Sequence, residues 1–152
     1  MPTHPIVEKM LLNNNSSFVA KTFTTPEYEL GWHHHPEYEL VLITNCEGLA
    51  FIGNYIGEYE TGDIYFIGSN LPHTFPKKQP GQIASSIVVQ FKEDFWGSGF
   101  LGLPECKKLN DFLKKSSFGM KILGEGKEKL AQLIKALENA EGLQRIILNL
   151  GW

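Results

Sequence analysis

Short strand-like runs separated by turn residues fill the middle of the chain, and helical periodicity replaces them after Pro104. The runs are rich in β-branched and aromatic residues and are broken by glycine, proline and asparagine, which is typical of strands. They cover residues 18–23, 38–44, 49–52, 64–67 and 83–91. No helical pattern of 10–15 residues lies between them, so a barrel or sandwich is predicted rather than a parallel α/β sheet.

The last third of the chain carries three apolar stripes at helical spacing. They comprise Leu109, Phe112 and Leu113; Leu130, Leu133, Ile134 and Leu137; and Leu143, Ile146, Ile147 and Leu150. Pro104 suits a first helical residue, and residues 120–123 form one more predicted strand. The third stripe has no stop signal after it, so we expect the protein to continue. The predicted division is a loose segment over 1–17, a ligand-binding barrel over 18–95, and a linker with a helical tail over 96–152.

The charge balance argues against direct contact with nucleic acid. The net charge is −3, with 13 lysines and the single arginine Arg145, whereas DNA-binding surfaces need clustered positive charge and arginine. The first residues contain no apolar segment of the secretory type, and no run is long enough to cross a bilayer. A cytoplasmic protein is therefore expected.

The densest polar cluster begins at His33, in the sequence HHHPEYEL. Alternate residues of a strand share a face, so His33, His35 and Glu39 are predicted to lie together. His73, from a strand placed opposite, is the natural fourth member. Two imidazoles and a carboxylate on one face can hold a divalent metal, here Fe, Mn, Zn or Ni.

Three interpretations of this cluster stay open. It binds a metal, it lines a polar effector pocket without metal, or it faces solvent. Glu37 lies on the same nominal face, and Pro36 is expected to introduce a bulge that changes which residues point inward. Aromatic side chains near the cluster are candidates for stacking on a sugar ring. The candidate ligand-binding residues are Trp32, His33, His35, Glu37, Glu39, Tyr65, His73 and Phe75, and no catalytic residue is assigned.

The cluster resembles the two sequence motifs of the cupin superfamily. The first motif is matched by His33, His35, Glu39 and a later glycine, Gly48. The second is matched by residues 62–73, which run from a glycine to His73, although Ile67 stands where a turn proline is common. This resemblance implies a double-stranded β-helix, the cupin jelly roll, followed here by C-terminal helices.

A narrower resemblance covers roughly residues 18–152. The segments HPEYEL at 35–40, YETGD at 59–63, GSNLPH at 68–73 and VVQF at 88–91 are similar in order and spacing to N-terminal domains of AraC-type bacterial regulators. In that family the barrel binds a small effector, often a sugar, and the tail helices pair two subunits. A domain with two helix-turn-helix motifs follows in the family and is absent from this sequence.

The resemblance implies an effector-sensing and dimerisation domain of a transcription regulator rather than an enzyme. The third stripe is either a dimer seam or a helix packed on its own barrel. The resemblance assigns homodimerisation to Leu143, Ile146, Ile147 and Leu150, and contact with DNA only to the missing domain. The alternative is a small metal-dependent cupin enzyme, such as a dioxygenase or a sugar isomerase. A stand-alone binding protein is the third interpretation. A small enzyme has no need of some fifty residues of leucine-striped helix, which favours the regulator.

Overall fold

The computed structural model describes residues 4–7, 16–25 and 31–150. For Asn149 and Leu150 it describes the backbone but not the side chains. Within these described residues, ten strands form two five-stranded sheets that face each other. The strands are β1 Ile6–Val7, β2 Phe18–Thr24, β3 His33–His34, β4 Tyr38–Asn45, β5 Gly48–Ile52, β6 Tyr55–Tyr59, β7 Ile64–Ile67, β8 His73–Thr74, β9 Ser85–Phe91 and β10 Met120–Lys121.

The strand order is β1-β3-β8-β5-β6 in the first sheet and β10-β7-β4-β9-β2 in the second. All neighbouring strands are antiparallel except β1 and β3, which run parallel. The prediction of a mainly β cupin jelly roll followed by helices is confirmed.

The central strands of the second sheet, β4, β7 and β9, are buried on both faces, and this explains why they read as nearly continuous apolar runs. Along β4, Leu40 and Leu42 face one hydrophobic cluster, whereas Val41 and Ile43 face another. The first cluster includes residues of the tail helices, and the second fills the space between the sheets. Glu39 has the parity of Val41, so the period of two directs its side chain into the barrel.

Three α-helices follow the barrel: α1 Lys107–Lys115, α2 Gly126–Asn139 and α3 Leu143–Leu150. Ile134 and Leu137 of α2 are buried against the outer face of the second sheet. Arg145 of α3 donates a hydrogen bond to the carbonyl of Phe18, 2.7 Å away, and its guanidinium lies 4.4 Å from the centre of that phenyl ring. The tail therefore packs on the barrel through both apolar and polar contacts.

The predicted helical starts and stripes differ from the structure in detail. Pro104 begins a short 3-10 helix, Pro104–Cys106, directly before α1. In α3, Ile146 packs on the first hydrophobic cluster while Leu143 and Ile147 are exposed; the side chain of Leu150 lies outside the described residues. The stripe is thus shared between an intramolecular contact and an open face.

No helix among the described residues combines the length and apolar character needed to span a bilayer.

Two parts of the predicted N-terminal segment are described. Ile6–Val7 pairs with β3 in the register Ile6↔His33 and Val7↔His34, and the residues around Phe18 begin β2. The predicted strand over 83–91 begins at Ser85 instead, and Ile83 is exposed. Strand β9 starts at Ser85 because its pairing with β2 and its pairing with β4 both end at that residue.

Candidate metal and effector site

Strand pairing places the polar cluster at one end of the barrel, between the two sheets. His33 on β3 is directly opposite His73 on β8, and Glu39 on β4 is directly opposite Gln90 on β9. The backbone leaves regular strand geometry between His34 and Tyr38, around Pro36. Here β3 ends and the next strand, β4, lies in the other sheet, so Pro36 interrupts the strand instead of forming the expected bulge; proline cannot donate to a strand ladder.

The structure brings together His33, His35, Glu39 and His73. All four side chains are buried, and donor atoms of the three histidines lie within 4.8 Å of one another. The ring centroids of His33 and His73 are 4.2 Å apart, and those of His35 and His73 are 5.1 Å apart. The interpretation in which this cluster faces solvent is therefore wrong for these four residues.

The backbone fixes the orientation of all three imidazoles. The Nδ1 atoms of His33, His35 and His73 lie 2.6, 3.0 and 2.8 Å from the carbonyl oxygens of Gly31, Glu37 and Leu71. A carbonyl oxygen only accepts hydrogen bonds, so each Nδ1 carries the proton and donates it. In the neutral form, Nε2 is then the lone-pair atom of each ring, as in many histidine metal ligands.

Glu39 joins the histidines through both of its oxygens. Oε1 lies 3.4 Å from Nε2 of His35, and Oε2 lies 3.0 Å from Nε2 of His73. Burial alone would raise the pKa of Glu39, but the charge interaction with His73 and further interactions with His35 outweigh it and hold the pKa well below 4.5. Glu39 is therefore an ionised acceptor at neutral pH.

His33 is held in its neutral form. Burial, reinforced by the neighbouring His73, lowers the pKa of His33 from 6.5 to about 4. At pH 7 its Nε2 lone pair is therefore available for coordination. A neutral imidazole beside an ionised carboxylate is the protonation state that a divalent metal requires of its ligands.

The donor set fits a divalent transition metal. Three imidazole nitrogens and one carboxylate suit Fe, Mn, Ni or Zn. In the neutral ring of His73, whose proton is on Nδ1, the buried Nε2 atom has no hydrogen bond and its lone pair faces Oε2 of Glu39, 3.0 Å away. A buried polar atom without a hydrogen bond is costly, and a cation among the three Nε2 atoms would remove that cost.

Gln90 is a member of the cluster that was not among the predicted site residues. Its side-chain amide donates a hydrogen bond to Oε1 of Glu39 over 2.8 Å and lies 3.5 Å from Nε2 of His35. Its place within the apolar run of residues 87–91 was the available signal. A polar residue on the inward face of a buried strand usually has a specific partner.

Glu37 is buried beside the cluster but behind His35. Its Oε2 lies 3.7 Å from Nδ1 of His35, on the side of the ring away from Glu39, and it has no hydrogen-bond partner. The carboxylate therefore faces the protonated nitrogen of His35 rather than the convergent Nε2 atoms. It belongs to the surroundings of the cluster and not to the set of converging donors.

The predicted aromatic residues occupy different positions. Phe75 lies nearest to the cluster, with its ring centroid 6.4 Å from that of His73. Tyr65 is fully buried, packs against Phe75 and directs its hydroxyl toward the carbonyl of Glu58. Trp32 is half-buried and precedes His33, and its carbonyl accepts a hydrogen bond from the amide of Ile6. Phe75 and Tyr65 thus form an apolar wall next to the histidines.

No protein-family model matches this chain, and no curated protein matches it significantly. Among solved structures, an apo ToxT variant from Vibrio cholerae strain SCE256 is similar over 90% of this chain and 53% of that chain, with a TM-score of 0.55 and 12% identity. ToxT from Vibrio cholerae O395 bound to (E)-4-(8-methylnaphthalen-1-yl)but-3-enoic acid is similar over 89% and 54%, with a TM-score of 0.50 and 10% identity. A cupin 2 conserved barrel protein from Rhodopseudomonas palustris has a TM-score of 0.42 and 18% identity over 83% and 70%.

The chain spans about half the length of the ToxT chains that it matches. At these identities the likeness concerns the fold alone. Because it covers 90% of this chain, it includes helical tail as well as barrel. The chain has a cupin barrel, a helical tail docked on its outer sheet, and a buried cluster of three histidines and a glutamate inside.

Proposed function

We propose that this chain is the ligand-sensing domain of an AraC-type transcription regulator. A small molecule binds in the barrel beside the cluster of His33, His35, Glu39 and His73, and its binding is transmitted to the tail helices. The observation that carries the proposal is the similarity to ToxT, an AraC-family regulator, over barrel and tail together. Contact with DNA belongs to a further domain outside this sequence.

A short backbone segment supports transmission from the cluster to the tail. The amide of Gly68 donates to the carbonyl of Ser116, which directly follows α1, over 3.0 Å. Two residues further on, the amide of Asn70 donates to the carbonyl of His35 over 2.8 Å. A movement of His35 therefore reaches the tail through three consecutive residues. A Cβ at position 68 would lie 2.5 Å from the Ser116 oxygen, so only glycine fits this junction.

We further propose that the cluster holds a divalent metal, with His33, His35, His73 and Glu39 as its ligands. The support is the common protonation pattern of the three imidazoles and their burial around one carboxylate. When bound, such a metal supplies a Lewis-acidic centre that accepts a hydroxyl, carbonyl or carboxylate oxygen of the effector. The chain's own part is to keep the three Nε2 atoms directed inward and to exclude water.

The effector is a small molecule that combines polar oxygens with an apolar body. The polar part would face the cluster, and Phe75 with Tyr65 offers the apolar wall beside it. A sugar fits this description because one face of its ring is apolar. A carboxylic acid with a hydrophobic body fits it as well, and one of the ToxT structures contains such an acid.

The alternative function is a metal-dependent cupin enzyme. The specific observation in its favour is again the convergence of three histidines, because a metal with an open position can also activate a substrate. The helical tail is the argument against the enzyme.

Leu143 and Ile147 form an exposed apolar pair on α3, and we propose that this face contributes to a homodimer.

The regulator and the enzyme differ in how the tail responds. Untagged protein, with and without Mn²⁺, Ni²⁺, Zn²⁺ or Fe²⁺, is incubated with a panel of sugars and carboxylic acids. Hydrogen exchange of α2 and α3, molar mass and product formation are then measured. For a sensor, at least one compound slows or speeds amide exchange in the tail by several-fold and is recovered unchanged.

The matched control for this experiment is Gly68→Ala, which disturbs the junction with Ser116 but no residue of the cluster. In that variant the ligand should still bind, whereas the response of the tail should be lost. Turnover of a compound without any change in the tail would instead favour the enzyme. A molar mass of one chain at all concentrations would contradict the homodimer.

A further inference from the structure

Gln90 contacts two of the four proposed metal ligands from the opposite strand. It is 3% exposed, and its residue partner across the β4–β9 ladder is Glu39. The amide nitrogen lies 2.8 Å from Oε1 of Glu39 and 3.5 Å from Nε2 of His35. Such a close approach by a neutral amide restricts the geometry of the buried carboxylate.

The chemistry of Glu39 fixes which end of the amide faces it. An ionised carboxylate has only acceptor oxygens, so the group 2.8 Å from Oε1 must be the NH₂ of Gln90. A hydrogen bond from a buried amide to a carboxylate is charge-assisted and therefore stronger than one between neutral groups. The carboxylate is consequently held in one rotational state.

The two oxygens of Glu39 have different surroundings. Oε1 accepts the hydrogen bond of Gln90 and lies 3.4 Å from Nε2 of His35, whereas Oε2 lies 3.0 Å from Nε2 of His73. We propose that Gln90 is a positioning residue that holds Oε1, so that Glu39 presents only Oε2 to a bound metal. This inference rests on the proposed metal site. A glutamate that coordinates through one oxygen leaves one more coordination position for an oxygen of the effector.

The test uses Co²⁺ as the probe metal, because its visible absorption reports coordination number. Wild-type protein is compared with Gln90→Met, which keeps the length of the side chain and removes the amide, and with Gln79→Met, the same change at an exposed position. We expect Co²⁺ to bind Gln90→Met about 10- to 100-fold more weakly, with a changed visible spectrum. Gln79→Met should match the wild type in both measurements.

A second measurement needs only the wild-type chain and Glu39→Gln. The difference infrared spectrum of Co²⁺ binding should contain the wide separation of carboxylate bands that one-oxygen coordination produces, and Glu39→Gln should lack these bands. The narrow separation of two-oxygen coordination would overturn the inference even if Gln90→Met failed to fold.

The remaining outcomes are separable. Equal affinity and an equal spectrum in Gln90→Met would overturn the positioning role while leaving the metal site intact. Tighter binding would overturn it too, because the amide would then compete with the metal. Absence of Co²⁺ uptake by the wild type would remove the metal from the proposed function and this inference with it, whereas the response of the tail to effectors would still test the sensor.

Discussion

Glu39 and Asp63 are two carboxylates that are each 4% exposed, and the chain stabilises them in different ways. Glu39 is surrounded by imidazoles and the amide of Gln90 rather than by permanent cations. Asp63 accepts a hydrogen bond from the amide of Glu60 and pairs with two lysines, Lys121 and Lys127. Permanent cations make Asp63 a structural junction, whereas the imidazole lone pairs around Glu39 suit the proposed metal.

The location of each carboxylate matches this difference. Asp63 precedes β7 and joins the barrel to β10 and the first turn of α2, since its two lysines come from those elements. Burial would raise the pKa of Asp63, but the hydrogen bond from Glu60 and the two lysines lower it overall. One carboxylate thus attaches the tail, and the other belongs to the proposed metal site.

The largest expected effect concerns acid unfolding through His33. Its pKa is about 4 in the folded chain and 6.5 ordinarily, so the unfolded chain binds the proton first as the pH falls. The free energy of unfolding should therefore decrease between pH 6.5 and pH 4, by roughly 3 kcal/mol from this group. Urea unfolding of metal-free protein, followed by tryptophan fluorescence at a series of pH values, measures the decrease.

The matched variant is His33→Asn, which does not titrate. For each protein, the free energy of unfolding at every pH is compared with the value of the same protein at pH 7. A difference in stability between the two proteins at pH 7 therefore does not affect the comparison. A slope in His33→Asn as steep as that of the wild type would mean that His33 is not buried as a neutral ring.

A smaller effect, about 2 kcal/mol at pH 7, is expected for Asp63→Asn, because two lysines lose their shared partner. The pKa of Asp63 is lowered below 3.8, so its contribution is present above that pH and disappears as the pH falls through the folded pKa. The two proteins should converge in stability in strong acid. Asp111→Asn, an exposed change on α1, serves as the control and should lie within about 0.5 kcal/mol of the wild type.

Metal binding sharpens the contrast between the two carboxylates. Asp63→Asn should keep the Co²⁺ affinity of the wild type because Asp63 is not among the converging donors. A large loss of Co²⁺ affinity in this variant would contradict the separation of junction and site.

The smallest effect is expected for Lys127→Met, no more than about 1 kcal/mol, since the lysine side chain is 31% exposed and Lys121 still faces Asp63. Its visible consequence should be local, as faster hydrogen exchange in the first turn of α2. Lys129→Met, at an exposed position on the same helix, is the control. Equal exchange rates in both variants would show that the ion pair with Asp63 does not hold α2.

The strands and much of the cluster could be predicted because they follow from short-range patterns. Period-two alternation predicted His33, His35 and Glu39 on one strand face, but the structure brings them together from β3, the segment around Pro36 and β4, and these two strands lie in different sheets. The second motif supplied His73. Gln90 could not be found in this way, because its contact with Glu39 spans 51 residues and depends on the register of β4 and β9. Register is determined by the packing of whole sheets rather than by local sequence.

The tail was predictable only as helices. Its apolar stripes indicated buried faces but not their partners, so Ile146, which packs on the barrel, could not be separated from the exposed Leu143 and Ile147. The ion pairs of Asp63 were equally hidden, because Lys121 on β10 and Lys127 on α2 are ordinary surface lysines until both elements pack on the barrel.

The two-residue strand Ile6–Val7 pairs in parallel with His33–His34. It is the outermost strand of the first sheet, and both of its side chains are about 60% exposed. Without it, the strand that carries His33 would offer its unpaired amides and carbonyls to the next molecule, which is how sheets aggregate edge to edge. A shortened version of this protein that starts at β2 would leave the edge of β3 unpaired, and we expect it to self-associate.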